Sequence, residues 1–222
     1  MRRILISMVN LFMSMISNLE ISGVENLPDD RPAVIAANHI GYFDAFLLLT
    51  IKKVILDKNL VVIVAENYQN YAFYRWAVKV LGFIFIDRYN TDVKTLKTVI
   101  RRMNNNGLLV IAPEGTRSPD GQLIEAQNGA AYIAAKTGSV VVPLAATGCT
   151  DKLIKDNLWK KRLNIKIQFG KPYHLPEIPR KNRDIFLAEQ TEELMCRIAA
   201  MLPVSYRGFY AEYPRVQELL EE

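Results

Sequence analysis

The chain has 222 residues, half of them hydrophobic, which suffices for one domain with a sizeable core. Its 28 basic and 23 acidic residues give a formal charge of +5, which suits anionic membranes, phosphorylated substrates or nucleic acid without choosing among them. Cys149 and Cys196 lie too far apart for metal-type spacing, which argues against a cysteine metal site and indicates free thiols in a cytosolic chain.

The N-terminal segment MRRILISMVNLFMSMISNLE predicts an amphipathic helix over residues 1–20, because its polar residues recur at helical spacing among apolar ones. Arg2, Arg3 and the apolar run resemble a signal peptide, but no small-residue cleavage site follows, so we expect the segment to be retained. About fifteen helical residues reach roughly 22 Å, short of the ~30 Å hydrocarbon core of a bilayer. An interfacial or re-entrant membrane anchor is therefore favoured over a span, so two interpretations stay open, such an anchor and a helix packed on the domain. The polar stripe consists of Ser7, Asn10, Ser14 and Ser17.

Residues 21–222 alternate apolar runs with helical patterns, and they contain no internal repeat, low-complexity tract or long linker. Continuous apolar runs between helices are typical of parallel strands buried on both faces. The sequence therefore predicts a single α/β domain with a mixed, parallel-rich central sheet flanked by helices. The predicted strands are 21–24, 33–37, 61–66, 83–86, 108–112, 139–146 and 164–169, and the predicted helices are 44–53, 69–81, 91–105, 126–137 and 182–201.

The stretch AANHIGYFDAFLL, residues 36–48, places His39 and Asp44 on a turn between a predicted strand and a predicted helix, where the two side chains can meet. An imidazole can take a proton from a hydroxyl, while a carboxylate accepts its other N–H, fixes the tautomer and stabilises the imidazolium. The alternative is an Asp44 that only caps the helix and a His39 with a structural hydrogen bond. Two such groups with no nearby Cys, Glu or second His do not favour zinc.

Two later segments carry groups suited to a phosphate. GFIFIDR, residues 82–88, ends an apolar strand at Arg88, which either reaches a ligand beside the sheet or forms an exposed ion pair. LLVIAPEGTRS, residues 108–118, breaks after a buried strand and combines a turn glycine, a hydroxyl and a guanidinium. The candidate residues in that turn are Glu114, Gly115, Thr116 and Arg117.

A proline interrupts the buried strand in SVVVPLAATG, residues 139–148. Because proline cannot donate to a sheet ladder, Pro143 predicts either a sheet edge or a deliberate bend near a site.

Two segments mix basic with apolar or aromatic residues. Residues 67–82 are rich in aromatics, and residues 151–166 interleave six basic residues with leucine, isoleucine and tryptophan. Each is either an ordinary solvated or sheet-packed surface or a membrane-interface contact with anionic headgroups. No nucleic-acid motif accompanies the charges, so we expect no nucleic-acid partner. His174, in a proline-rich connection, is interpreted as structural.

Four of these segments, NHIGYFD, GFIFIDR, PEGTRS and VVPLAATG, resemble in order and approximate spacing the motif blocks of the glycerolipid acyltransferases. The resemblance covers about residues 30–150 and leaves the N-terminal helix and the C-terminal third outside it. Four ordered blocks are far more specific than an isolated histidine and aspartate. Gly41 stands where many members carry serine, and Ala112 where phenylalanine is usual, so we expect both to enlarge local space and to affect acceptor or acyl preference.

The resemblance implies that His39 acts as general base on an acceptor hydroxyl and that Asp44 holds it. The acyl donor would be acyl-CoA or acyl carrier protein, with no covalent acyl-enzyme, metal or other cofactor. Arg88 and the turn from Glu114 to Arg117 would hold the acceptor's phosphate, and Pro143 would shape the site beside it.

The implied reaction makes phosphatidate from 1-acylglycerol 3-phosphate at the cytoplasmic face of the cell membrane. The alternatives are an acyltransferase for glycerol 3-phosphate or for another lipid or glycosyl acceptor, and a non-catalytic lipid-binding protein on the same fold. The short chain favours the lysolipid enzyme over the larger glycerol 3-phosphate type.

Overall fold

The computed structural model of the chain describes residues 2–29, 32–51, 54, 56, 59–65, 70, 83–86, 93–158 and 160–222. Within these ranges, an eight-stranded sheet lies between helices on both of its faces. The strands are β1 (Ser17–Ser22), β2 (Ala33–Ala37), β3 (Leu60–Ala65), β4 (Phe83–Ile86), β5 (Leu108–Ile111), β6 (Val140–Thr147), β7 (Leu163–Phe169) and β8 (Tyr173–His174). The helices are α1 (Arg2–Ile16), α2 (Asp44–Thr50), α3 (Val93–Met103), α4 (Gly129–Thr137), α5 (Asp151–Asn157), α6 (Arg183–Ala200) and α7 (Pro214–Glu221), and short 3-10 turns occupy Val24–Asn26, Val204–Tyr206 and Gly208–Tyr210.

The strand order is β1-β7-β6-β2-β5-β3-β4, and β8 pairs with β6. From β6 to β4 all neighbours are parallel, whereas β7 and β8 are antiparallel to β6 and β1 is parallel to β7. The predicted mixed, parallel-rich α/β sheet is therefore confirmed. Because parallel strands end at the same edge, the loops after β2, β5 and β6 meet there, which is where open α/β sheets bind ligands.

Two hydrophobic cores lie on the two faces of the sheet, and β2 contributes to both because successive strand residues point to opposite sides. Ala33 and Ile35 join the core on the first face, and Val34 and Ala36 join the core on the second. The first face is covered by α1 and α2, and the second by α3, α4 and α6. Almost every residue of β2 is buried, which explains its continuous apolar run.

The N-terminal helix ends at Ile16, earlier than predicted, and Ser17–Ser22 form strand β1 instead. The Ser17 hydroxyl donates to the Met13 carbonyl, and the Arg162 guanidinium donates to the Ser14 and Ser17 carbonyls. These bonds satisfy carbonyl groups that the end of a helix leaves open, so the chain can turn and pair with β7.

Helix α1 packs on the first face of the sheet, which is the second of the two interpretations offered for it. Four of its apolar side chains are buried in the core there, where each Ile or Val contributes about 1.5–3 kcal/mol by leaving water. The buried side chains are Ile6, Val9, Met13 and Ile16. None of the helices in the described part of the chain is both long and apolar enough to cross a bilayer.

Pro143 does not mark a sheet edge, because β6 lies between β2 on one side and β7 and β8 on the other. Pairing of β6 with β8 ends at Val141 and pairing with β7 begins at Leu144. The Pro143 carbonyl accepts the Gly170 N–H at 2.8 Å. In a strand, the N–H and the carbonyl of one residue lie on the same side, so an N–H of residue 143 would face the point where the pairing of β6 changes from β8 to β7. Proline at this position therefore costs no hydrogen bond of the sheet.

The remaining predicted strands and helices agree with the structure to within a few residues at their ends. The exception is the predicted helix over 69–81, which falls almost entirely outside the described residues.

Candidate active site

His39 and Asp44 meet in the loop between β2 and α2, with His39 Nδ1 2.7 Å from Asp44 Oδ2. The same carboxylate oxygen accepts the backbone N–H groups of Ile40 at 3.0 Å and Gly41 at 3.3 Å. Asp44 therefore shapes the loop as well as holding the imidazole, rather than serving only as a helix cap. With Nδ1–H donating to the carboxylate, Nε2 is left as the proton-accepting nitrogen of His39. About a quarter of each side chain is exposed, so both can be reached from solvent.

Asn38 anchors this loop to the sheet. Its side-chain amide donates to the Ala146 carbonyl at 3.0 Å, and its side-chain oxygen accepts the Ala146 N–H at 2.8 Å. Since Asn38 is almost fully buried, both bonds are shielded from water. Asn38 was not among the predicted site residues, although a polar residue directly after a fully apolar strand is a sign of such an anchor.

Glu114 lies beneath the loop, turned inward, and is only 3% exposed. Its Oε1 accepts the His39 N–H at 2.8 Å, and its Oε2 accepts the Ile124 N–H at 3.0 Å. Burial is the largest influence on this carboxyl and raises its pKa from 4.5 to about 7, although the two backbone donors act in the opposite direction. The structure thus places Glu114 as a brace for the His39 backbone, with one backbone N–H on each carboxylate oxygen. The Ser118 N–H, which donates to the His39 carbonyl at 3.0 Å, adds a second brace.

The turn after β5 presents three further candidates. Gly115 has φ +69°, a conformation that glycine adopts without strain, and its N–H closes a turn onto the Ala112 carbonyl at 3.1 Å. Gly115 and Thr116 are exposed, whereas Arg117 is half-buried and lines the cavity described below.

Arg117 is held by Asp151 and Tyr42, which were not among the predicted site residues. Its Nη1 lies 2.9 Å from Asp151 Oδ2, and its guanidinium lies 3.5 Å from the centre of the Tyr42 ring. Asp151 Oδ1 also accepts the Tyr42 N–H at 2.8 Å. Tyr42 belongs to the NHIGYFD segment, but no local pattern links Asp151 to Arg117 across 34 positions.

These groups surround the polar mouth of a cavity on the first face of the sheet, beneath α2. His39, Asp44 and Arg117 line its mouth, and the other described residues that line it are mostly apolar. The apolar lining comes from Ala37, Ala45, Leu47, Leu48, Ile51, Val62, Ile63, Val64, Phe83, Val110, Ile111, Ala112, Leu144, Ala146 and Ile167. A cavity with one polar end and long apolar walls suits an amphipathic ligand with a hydrocarbon chain.

Gly41 does not enlarge the site, contrary to expectation. A Cβ at this position would lie 2.8 Å from Asp151 Oδ1 and 2.9 Å from the Cys149 carbonyl oxygen. The space is therefore already filled by the Asp151 carboxylate. Ala112, by contrast, does line the cavity, where a phenylalanine would take up volume.

Among the described residues predicted for the site, Glu114, Gly115, Thr116 and Pro143 do not line this cavity. The side chain of Pro143 points to the second face of the sheet, because its neighbours Val142 and Leu144 point to the first. Arg88 lies outside the described residues, as does Trp159 of the basic segment.

Cys149 and Cys196 are buried and free, as predicted, and burial raises the pKa of both thiols. Within the described part of the chain, no group of three His, Cys, Asp or Glu side chains is placed to hold a metal ion.

Comparison with known proteins relates this chain to lipid acyltransferases. A family profile described as Acyltransferase matches residues 18–147, more than half of the chain. The chain is 32% identical over 161 residues to the chloroplastic 1-acyl-sn-glycerol-3-phosphate acyltransferase LPAT1 of Arabidopsis thaliana, covering 70% of this chain and 44% of that protein. It is 29% identical over 194 residues to the 1-acyl-sn-glycerol-3-phosphate acyltransferase of Bacillus subtilis (strain 168), covering 86% of this chain and 91% of that protein.

The chain thus spans less than half of the Arabidopsis relative, and 37% of a second chloroplast relative from Brassica napus. A solved structure with the same fold is that of the 1-acyl-sn-glycerophosphate acyltransferase PlsC from Thermotoga maritima. It superposes with a TM-score of 0.66 at 23% identity, covering 87% of this chain and 76% of the other. The profile match across more than half of the residues shows that this chain belongs to the acyltransferase family.

Proposed function

We propose that the protein transfers a fatty acyl group from a thioester donor to the free hydroxyl of 1-acylglycerol 3-phosphate, giving phosphatidate. The observation that carries the proposal is the meeting of the His39–Asp44 pair and Arg117 at the polar mouth of one apolar cavity. The names of the related proteins from Arabidopsis and Bacillus support the same acceptor.

In this proposal His39 Nε2 takes the proton of the acceptor hydroxyl as the oxygen attacks the thioester carbonyl carbon. Asp44 holds the Nδ1–H and stabilises the imidazolium that forms. When the tetrahedral intermediate collapses, the C–S bond breaks and the thiol leaves with the proton returned by His39. The donor is acyl-CoA or acylated carrier protein, and the step proceeds without an acyl-enzyme, a metal or another cofactor.

The two ends of the acceptor are recognised by different chemistry. The apolar walls beneath α2 take the hydrocarbon chain, since each CH₂ moved out of water contributes about 0.8 kcal/mol. The Arg117 guanidinium at the mouth pairs with the phosphate, and the exposed residues Gly115 and Thr116, which precede it in the same turn, are proposed to assist. Arg88 is proposed as a second phosphate contact from the sequence resemblance alone.

The proposed reaction is tested with purified protein in detergent micelles supplied with acyl-CoA and 1-acylglycerol 3-phosphate. Release of free thiol is followed, and the lipid product is identified by mass spectrometry. Formation of phosphatidate is the expected result. Parallel reactions with glycerol 3-phosphate, with other lipid or glycosyl acceptors and with acyl carrier protein as donor separate the alternatives. Absence of thiol release with every donor and acceptor would favour a non-catalytic lipid-binding protein.

Replacing Arg117 with lysine is expected to raise the KM for 1-acylglycerol 3-phosphate by about five- to tenfold. Lysine keeps the positive charge but loses the planar fork and its stacking on Tyr42. Steady-state kinetics with the acceptor concentration varied measure the effect. An acceptor KM and kcat equal to those of wild type would exclude the phosphate role of Arg117.

We further propose that α1 rests on the cytoplasmic face of an anionic membrane. The helix buries one apolar stripe in the core and exposes a second, whose side chains are between 63% and 67% accessible: Ile4, Met8, Leu11 and Met15. The segment that follows β6 adds exposed basic side chains, of which Arg162 contacts the end of α1. An exposed apolar stripe beside basic residues suits the interface between headgroups and acyl chains.

Replacing both Met8 and Leu11 with serine is expected to lower binding to vesicles of anionic phospholipid by at least about tenfold. Neither side chain is buried in the core, so the fold is expected to persist. The measurement is cosedimentation with vesicles. Ile185→Ser serves as matched control, because Ile185 is 61% exposed and lies on α6 at the opposite face of the sheet. Equal vesicle binding by the double variant and wild type would reject α1 as a membrane contact.

A further inference from the structure

The carboxylate of Asp151, the first residue of α5, connects the two halves of the site. Its Oδ1 accepts the Tyr42 N–H at 2.8 Å, in the loop that carries His39. Its Oδ2 lies 2.9 Å from Nη1 of Arg117. One side chain therefore contacts both the loop that carries the proposed base and Arg117, which is proposed to bind the phosphate.

The local structure holds Asp151 in this place. Thr150, the residue before it, caps α5 by accepting the Leu153 N–H with its hydroxyl at 3.2 Å. On the other side Gly41 leaves room, because a Cβ there would lie 2.8 Å from Asp151 Oδ1. The Asp151 carboxylate thus occupies the space that a side chain at position 41 would need.

The consequence for Arg117 is a defined orientation. A guanidinium on a flexible side chain loses substantial rotamer entropy when it binds a ligand. Here the ion pair with Asp151 and the Tyr42 ring 3.5 Å below fix its plane before any ligand arrives. Arg117 and Tyr42 both line the cavity mouth, so the oriented group lies where the polar end of an amphipathic ligand would be.

We infer that Asp151 is a positioning residue for acceptor selection, which acts through Arg117 and favours a phosphorylated acceptor over a neutral one. The inference rests on the proposed function, since it concerns the acceptor of that reaction. Asp151 itself does not line the cavity. It sets the direction of the guanidinium and keeps Tyr42 beneath it.

A purely structural Asp151 would support the loop and α5 without regard to the acceptor. Its loss would then reduce activity toward every acceptor by a common factor. A positioning role for Arg117 predicts instead a loss confined to acceptors that carry a phosphate. The ratio of kcat/KM for 1-acylglycerol 3-phosphate to that for monoacylglycerol, which lacks the phosphate, separates the two roles.

The test is Asp151→Asn. Asparagine keeps an oxygen for the Tyr42 N–H but replaces the oxygen that faces Arg117 with an amide donor. We expect kcat/KM for 1-acylglycerol 3-phosphate to fall roughly five- to tenfold, mainly through KM, because the ion pair is partly exposed. The value for monoacylglycerol is expected to stay unchanged. Asp156→Asn, an exposed carboxylate on the same helix, is the matched control.

Equal losses for the two acceptors, or no loss for either, would overturn the inference. In the Arg117→Lys background, Asp151→Asn should add little further loss of selectivity, because the group it positions is already changed. A full additional loss there would also contradict action through Arg117.

A binding measurement tests the role of Asp151 independently of whether the protein catalyses the proposed acyl transfer. The dissociation constants of 1-acylglycerol 3-phosphate and monoacylglycerol are measured in detergent micelles for wild type and Asp151→Asn, without an acyl donor. If wild type formed no phosphatidate, the proposed function would fall, while the ratio of the two dissociation constants would still decide the role of Asp151. We expect that ratio to favour the phosphorylated lipid less strongly in the variant.

Discussion

Replacing His39 with alanine is expected to lower kcat by about 10²–10⁴-fold, the usual contribution of a general base. The acceptor KM should change little, because the apolar walls and Arg117 stay in place. The imidazole is the group that Asp44 holds in one tautomer, and alanine has nothing that can accept the hydroxyl proton. Release of free thiol from acyl-CoA in the presence of 1-acylglycerol 3-phosphate measures the loss.

The matched control is His174→Ala, which removes the other histidine of the chain, an exposed residue of β8. Its activity should equal that of wild type. Thiol release that persists at the wild-type rate in His39→Ala would show that another group takes the proton, and the His39–Asp44 mechanism would be abandoned. Unchanged circular dichroism of the variant would establish that the loss is chemical rather than structural.

Replacing Glu114 with alanine is expected to lower kcat by about 10- to 100-fold, although the side chain lies beneath the site. The carboxylate holds the His39 and Ile124 N–H groups together, and its loss leaves two buried donors without their acceptor. His39 would then shift relative to the acceptor, and displacements of about 1 Å can cost about two orders of magnitude in rate. Single-turnover kinetics at saturating substrate measure the effect.

Glu114→Gln should lose less activity than Glu114→Ala, because its side-chain oxygen still accepts one of the two backbone donors. The control is Glu125→Gln, an exposed neighbour whose loss should leave the rate unchanged. A Glu114→Ala variant as active as wild type would exclude the bracing role.

Glu114 also makes stability depend on pH. Burial raises its pKa from 4.5 in the unfolded chain to about 7 in the folded protein, so the folded state holds the proton more tightly. This contribution to the free energy of unfolding is complete below pH 4.5 and is lost as the pH rises to about 7. Between these two pH values the free energy of unfolding of wild type should fall by up to about 3 kcal/mol relative to that of Glu114→Gln, because glutamine has no proton to release. Urea unfolding at several pH values measures this difference, and a difference that stays constant would show that the carboxyl pKa is not raised.

The fold class was predictable because the pattern of apolar residues in the sequence reflects which faces of the strands and helices are buried. The apolar runs that became β2, β3, β5 and β6 are continuous because both faces of those strands are covered. The end of α1 was not predictable in the same way. The segment SNLEIS continues a helical polar stripe, and it forms a strand because β7 offers a parallel partner and Arg162 closes the helix.

The candidate site shows the same division. The His39–Asp44 contact was predictable because the two residues are close in sequence and share one turn. The direction of Glu114 was not, since a charged residue in a turn is usually exposed and only the tertiary structure brings the Ile124 N–H to it. The position of Pro143 on the sheet face opposite the cavity was not predictable either, because it depends on the strand register.

By itself, the sequence determined that this is a parallel-rich α/β protein with a histidine and an aspartate on one loop and an arginine in a turn after a buried strand. Local spacing and periodicity are sufficient for those conclusions. Only the tertiary structure decided that Asp151 joins Arg117 to the His39 loop, and that the space at Gly41 is filled rather than open. These contacts join residues far apart in the chain, so they depend on strand order and on the loop paths at one edge of the sheet.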